Sequence, residues 1–277
     1  MRRSAIEARW VLATTVSIGV LGVWYLLQAP SNERVWNPDQ AVLPHADIEG
    51  DLITIHNIRN FEYRAPDDYT PAYYDRTYDL RQLKRVYFIV EPFSDEKVGA
   101  HTMLSFEFEG DQFLAVSVEA RREEGVAYSA LKGAFRQYEI MYVLADERDI
   151  VRLRANHRGN DVYLYPAKAK PEQVKSMFTS VIDEVNRLKD QPAFYNTFVN
   201  NCTTSLVKHV NKIAEMPIRW NLALLLTEKS DALAYRLGLL DVEPDADFES
   251  IRARHRINES ALLHDADPAF SRKIRNR

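Results

Sequence analysis

The sequence predicts an α+β fold, an antiparallel sheet packed with helices and preceded by one transmembrane helix. Three observations carry that reading: an uncharged apolar run from Trp10 to Leu27, short alternating runs between residues 51 and 165, and two amphipathic helical patterns after Pro171. In boundaries, residues 1–9 are expected as a cytoplasmic N-terminus and 10–27 as the anchor. Residues 28–240 follow as one extracytoplasmic domain, and 241–277 as a charged C-terminal appendage packed on or near it.

The anchor comes first in the chain. Its run through Val11, Leu12, Val16, Ile18, Val20, Leu21, Val23 and Leu26 is long enough to cross a bilayer core as a helix. Arg2, Arg3 and Arg9 precede it and only Arg34 follows closely, so the positive-inside bias leaves the N-terminus in the cytoplasm. A cleaved signal peptide is the competing reading. It fits less well, because the run exceeds an ordinary signal core and Leu26-Leu27-Gln28-Ala29-Pro30 is a poor cleavage site.

The chain's 277 residues, 46% hydrophobic and 27% charged, are ordinary globular material. A net charge of -4 gives no electrostatic reason to bind nucleic acid. Up to about Leu80 the chain reads as a lead-in with one strand at 51–55. Tyr63, Tyr69, Tyr73, Tyr74 and Tyr78 are expected to pack rather than to rim a groove.

Strands are expected at 86–93, 101–108 and 112–119, the last two joined as a hairpin through Glu109-Gly110-Asp111. Leu104, Phe106 and Phe108 share a face with Leu114, Val116 and Val118. That pairing fixes a register in which opposed residue numbers sum to about 220. His101 then faces Glu119 on the non-core side. A second strand pair is expected at 139–144 and 161–165 around a polar, arginine-rich loop.

Pro171 opens a helix with Val174, Met177, Phe178, Val181, Ile182, Val185 and Leu188 on one stripe. Asn200-Asn201 caps a second, which places Cys202 in its first turn. Asn221 to Leu226 reads as a core segment. Arg121, Arg122, Arg136, Arg152, Arg154 and Arg158 read as a solvated face paired with Asp146, Glu147 and Asp149.

Cys202 is the single cysteine, so the domain stands without a disulfide. A thiol at a helix N-terminus is favoured as thiolate, and His101 held by Glu119 has the chemistry of its base. The alternative is a buried inert cysteine and an unrelated strand histidine. His157 and His209 are expected as surface or packing residues. No HExxH, no CxxC pair and no phosphate-cradling glycine loop occurs, so neither a metal nor a cofactor is expected.

Longer strings then carry a resemblance. They include Ile55-His56-Asn57-Ile58-Arg59-Asn60-Phe61, Ala100-His101-Thr102-Met103-Leu104-Ser105-Phe106 and Ser117-Val118-Glu119-Ala120-Arg121. Tyr142-Val143-Leu144-Ala145-Asp146-Glu147-Arg148-Asp149 and Asn200-Asn201-Cys202-Thr203-Thr204 continue it. Over roughly residues 35 to 275 the chain resembles the family called the Lnb N-terminal periplasmic domain, after bacterial enzymes that make lyso-form lipoproteins. The resemblance implies a circularly permuted papain-like fold, with His101 and Cys202 as the catalytic pair. Glu119 joins them from the hairpin register alone.

The expectation is therefore a thiol acyltransferase or hydrolase anchored in the inner membrane through residues 10–27, its domain facing the periplasm. It would act on an acyl or amide bond of a lipid or lipoprotein through a Cys202 acyl-enzyme. A peptidoglycan peptidase or amidase and a non-catalytic envelope module are the alternatives.

Overall fold

Apolar residues at every second position make each central strand two-faced, and here both faces are buried. The structure is a computed structural model that describes residues 2–93, 99–214, 217–219, 229–244 and 246–275, without the side chains of 2–9, 11 and 21. The strands are β1 (His45–Glu49), β2 (Leu52–Arg59), β3 (Glu62–Ala65), β4 (Asp68–Thr70), β5 (Tyr73–Asp79), β6 (Leu83–Pro92), β7 (Ala100–Phe108), β8 (Gln112–Arg121), β9 (Glu139–Ala145) and β10 (Tyr163–Pro166). The main sheet runs β1-β2-β9-β8-β7-β6-β10, with β5 also on β2 and β3-β4 paired apart. Its pairings are antiparallel except β2 with β9, which is parallel at Arg59 and Ala145.

The helices are α1 (Arg2–Leu27), α2 (Ala130–Ala134), α3 (Glu147–Arg152), α4 (Pro171–Asp190), α5 (Cys202–Asn211), α6 (Ser230–Arg236), α7 (Phe248–His255), α8 (Asn258–Leu263) and α9 (Phe270–Lys273). The stripe of α4 lies on the sheet face of Leu104, Phe106, Phe108, Leu114, Val116 and Val118. Phe178 meets Phe106 and Phe108 edge-on at 5.0 and 5.4 Å, the geometry the ring quadrupole favours. α5 adds Leu206 to the same layer.

The hairpin register is the expected one: Met103 pairs with Ser117 and Leu104 with Val116. The second face departs from expectation. It is no solvated side, because Met103, Ala115, Met141 and Val143 pack under Ile150 and Val151 of α3 and under Ile257, Ala261, Phe270 and Ile274 of the C-terminal segment. β9 and β10 both form, yet they do not pair with each other: β10 joins β6 at the sheet edge while β9 pairs β8. The polar stretch 146–160 is helical instead of a loop, with α3 running into a π-helical turn at Leu153–His157. Its charges are largely buried in pairs, which a polar composition alone cannot reveal. The lead-in is richer than one strand, and Tyr63, Tyr69 and Tyr73 pack around Phe61.

α1 covers the apolar run of the N-terminus and leaves Trp10, Leu12, Ile18, Val20, Leu26 and Leu27 exposed. Among the described residues no helix is long and apolar enough to cross a membrane. Asn221 to Leu226 lies outside the described residues. After α1 the chain is tied to the domain by Asn32 Nδ2, which donates to the carbonyls of Leu188 and Lys189 at 3.0 and 2.8 Å.

Two buried ion pairs lock the second layer. Arg59 grips Asp149 with Nε and Nη2 at 3.0 and 2.8 Å, and the Phe61 backbone N–H donates to the same carboxylate at 2.7 Å. Arg275 donates to both oxygens of Glu147 and stacks over Tyr87 and Phe113 at 4.2 and 4.0 Å. Removing one partner of such a pair strands a charge in a low-dielectric interior. Asp149→Ala is therefore expected to lower the unfolding free energy by about 3–5 kcal/mol in urea titration of the purified chain; a loss under about 1 kcal/mol would show that the pair contributes little.

Candidate active site

The thiol is placed by a helix cap. Asn201 adopts an extended backbone and its side chain accepts from the Thr204 N–H at 2.8 Å, while Thr204 Oγ1 receives the Asn201 N–H at 2.9 Å. This reciprocal box satisfies the Thr204 amide. It leaves the Cys202 and Thr203 amides in the first turn, where helix geometry offers no intrahelical acceptor.

Three elements converge on Cys202. His101 stands at the start of β7 and Glu119 near the end of β8, and the hairpin brings His101 Nε2 within 3.2 Å of Glu119 Oε1. Ser117, two residues before Glu119 on the same face, sits between them. Its Oγ lies 2.6 Å from His101 Nε2 and donates to Glu119 Oε1 at 2.6 Å. With Nε2 engaged there, Nδ1 is the ring nitrogen left for the thiol, and each of His101 and Cys202 favours the charged form of the other. The three residues singled out from the sequence are thus brought together, and Cys202 is 8% exposed.

The charges follow from this placement. Burial alone would push the Cys202 thiol up, but the charge of His101, its hydrogen bond and the Thr102 backbone N–H bring it down to about 7. Burial alone would push His101 down, yet the Glu119 carboxylate and then the Cys202 thiolate raise it to about 10. Glu119 is held well below the usual carboxylate range: burial opposes ionisation, and His101 and Arg154 overcome it. Both shifts favour a thiolate beside an imidazolium.

Arg154, Glu91 and Ser117 escaped the sequence reading. Arg154, on the π-helical turn, donates to Glu119 Oε1 at 3.0 Å, to Glu91 Oε2 at 2.6 Å and to the Ile150 carbonyl at 3.0 Å. Glu91 pairs across the strands with His101 and also accepts from Asn160 Nδ2 at 2.8 Å. Ser117 was legible, since the register that sets Glu119 opposite His101 puts residue 117 on the same face. Arg154 left no such signal, because its polar neighbours resembled a surface loop.

Cys202, His101, Glu119, Glu91 and Arg154 line a cavity of about 390 Å³ whose wall also includes Arg59, Arg122, Arg158, Tyr128 and Tyr195. Arg122 and Arg158 are loosely paired, with their nearest acidic oxygens at 3.9 Å on Asp39 and 3.8 Å on Glu91. A second, smaller cavity of about 140 Å³ lies behind α5 and is almost wholly apolar, lined by Leu104, Leu206, Val210 and Leu233 among others. Thr102 Oγ1 and Thr203 Oγ1, 3.1 Å apart, stand at its thiol end.

The other histidines are accounted for elsewhere. His209 is buried between Ser180 Oγ and the Tyr142 hydroxyl, each at 2.8 Å, and burial lowers it to about 4, so it is neutral. His157 packs against the Tyr63 ring at 5.9 Å. Among the described residues no group of three or more His, Cys, Asp or Glu is placed to hold a metal ion.

The family described as the Lnb N-terminal periplasmic domain matches residues 69–228, which include Cys202, His101, Glu119, Ser117, Glu91 and Arg154. No curated protein and no solved structure matches the chain.

The thiolate is the form the site favours, so it persists as pH falls until about 7. Iodoacetamide labelling of Cys202 is expected to titrate with that midpoint. His101→Ala removes the cation and keeps the burial, which moves the midpoint above the ordinary value of about 8.5 and slows labelling at neutral pH by on the order of tenfold. An unchanged midpoint in the variant would break the proposed coupling.

Proposed function

Because the chain belongs to the Lnb N-terminal periplasmic domain family, we propose that it is a membrane-anchored thiol acyltransferase or hydrolase. It works on the periplasmic side of the inner membrane upon an acyl or amide bond of a lipid or lipoprotein. The observation that carries this reading is the Cys202 thiol at the start of α5, lining one cavity with His101, whose Nε2 is held by Ser117 and Glu119; that setting favours the thiolate.

Cys202 Sγ attacks the substrate carbonyl carbon, forming a C–S bond as the carbonyl electrons move onto oxygen. The oxyanion is received by the Cys202 and Thr203 amides at the helix start. Collapse breaks the bond to the leaving group, which takes its proton from His101. An amine, alcohol or water then attacks the thioester, gives its proton to His101 and releases the thiolate. Ser117 and Glu119 keep the imidazole turned with Nε2 away from sulfur, so that Nδ1 handles both proton transfers.

Several features favour this assignment over a binding module. A module has no use for a thiolate held against an imidazolium, and building one costs buried charge at Glu91 and Arg154. The order of the pair, histidine on a strand before a cysteine that opens a helix, agrees with a permuted papain-like arrangement. The uncharged run from Trp10 to Leu27 in the sequence is the feature that favours an anchor. Arg122 and Arg158 suit an anionic substrate group such as a lipid phosphate.

The test is intact-mass analysis of the full chain in detergent after incubation with phospholipid and with diacylated lipoprotein, quenched in acid. An acyl adduct on Cys202, removed by hydroxylamine and absent from Cys202→Ser and His101→Ala, is the expected result. An adduct with a muropeptide alone would transfer the assignment to peptidoglycan chemistry. No adduct from any of these substrates, with the thiol still labelled rapidly by iodoacetamide, would end the acyl-transfer reading.

A further inference from the structure

The two segments that wall the thiol cavity on its outer side also turn apolar side chains toward solvent. On the first, Leu131 is 70% and Phe135 50% exposed; on the second, Phe198 is 52% and Val199 57% exposed. Tyr128 and Ala130 of the first segment and Tyr195 and Thr197 of the second line the cavity itself.

The two segments are stapled together. Thr197 Oγ1 donates to the Ala130 carbonyl at 2.7 Å, and a Cβ on Gly133 would stand 2.5 Å from Thr197 Oγ1 and 3.1 Å from the Tyr195 ring. Glycine is what lets them close. Apolar tips and cavity wall therefore form one body.

That body is joined to α1. Arg136, in the left-handed region at φ 58, lays its guanidinium over the Tyr25 ring at 4.2 Å and over Phe194 at 5.6 Å, and donates to the Tyr25 carbonyl at 3.3 Å. Leu26 and Leu27 follow at once, exposed at 74% and 78%. Contiguous apolar surface of this kind is unfavourable in water and suits the boundary between headgroups and acyl chains. Exposed Lys132, beside Leu131, has the stem length to keep its ammonium at the phosphate level.

We propose that Leu131, Phe135, Phe198 and Val199 dock the outer wall of the cavity into the surface of a lipid bilayer, so that Cys202 works at the level of the lipid headgroups. The occupant of this surface is lipid. Continuity with the end of α1 argues for it, since Arg136 joins the wall to Tyr25 and the next residues, Leu26 and Leu27, are likewise apolar and exposed. The proposal deepens the acyl-transfer reading and takes its purpose from it, but its measurement does not use the thiol.

The test places a nitroxide at one site at a time in the full-length Cys202→Ser chain, reconstituted in phospholipid vesicles. The sites are Leu131→Cys, Val199→Cys and, at the far turn of the β7–β8 hairpin, Glu109→Cys. Oxygen concentrates in lipid and a polar nickel chelate is excluded from it. The ratio of oxygen to chelate accessibility is expected to be several-fold higher at 131 and 199 than at 109. Ratios at 131 and 199 equal to that at 109 would overturn the proposal. So would labels shielded equally from both reagents, which would indicate a protein interface. If one label disturbs the staple, as judged by circular dichroism, the other reads the same depth from the opposite segment. Lipid-depth labels without any acyl adduct would leave the docking surface standing and remove the enzymatic reading alone.

Discussion

A carboxylate does not stay ionised inside a protein without a cation beside it, and every charge at this site depends on how Glu119 solves that problem. Arg154, its side chain 5% exposed, shares its guanidinium between Glu119 and Glu91. With Glu119 anionic, His101 is raised; with His101 cationic, Cys202 is lowered. The dependence is sequential, so neutralising the first member relaxes the rest. Buried ion pairs rarely add net stability over apolar replacements of the same shape. Their value here is electrostatic: they hold a field on one sulfur atom.

The fold supplies that field by burying the sheet twice. α4 and α5 cover one face, while α3, its π-helical turn and the C-terminal segment cover the other. The second cover is what brings Arg154 against β6 and β8. Had that face met solvent, water would screen the pair and the histidine would titrate near its ordinary range. Through Ile257, Phe270 and Ile274 the C-terminal segment packs in one layer with Ile150 and Ala155, the latter next to Arg154 in the chain.

Much of this was legible from residue order. The period-2 pattern of residues 104–108 and 114–118 and a three-residue turn fixed the hairpin register, and with it the meeting of His101 and Glu119. The Asn201 cap placed Cys202 correctly, because capping depends on a few adjacent residues. What failed was long-range or concealed by polarity. The partner of β10 is β6, a choice that local pattern cannot make. Arg59, Arg154 and Arg275 look like surface arginines until their distant acids Asp149, Glu91 and Glu147 are known. Glu119, assigned from register alone, lies where that register puts it, whereas Ser117 followed from the same register and went unread.

A thiol that ionises near neutral pH is reactive toward oxidants as well as carbonyls. In many redox-exposed proteins a neighbouring cysteine captures the sulfenic acid as a disulfide and so makes the damage reversible. This sequence has one cysteine, so no resolving thiol stands within the chain. Recovery of an oxidised Cys202 falls to an external reductant that must enter the same cavity as substrate. The burial of that thiol, with Cys202 8% exposed at the start of α5, therefore guards the nucleophile from peroxide and slows its repair by the same steric means.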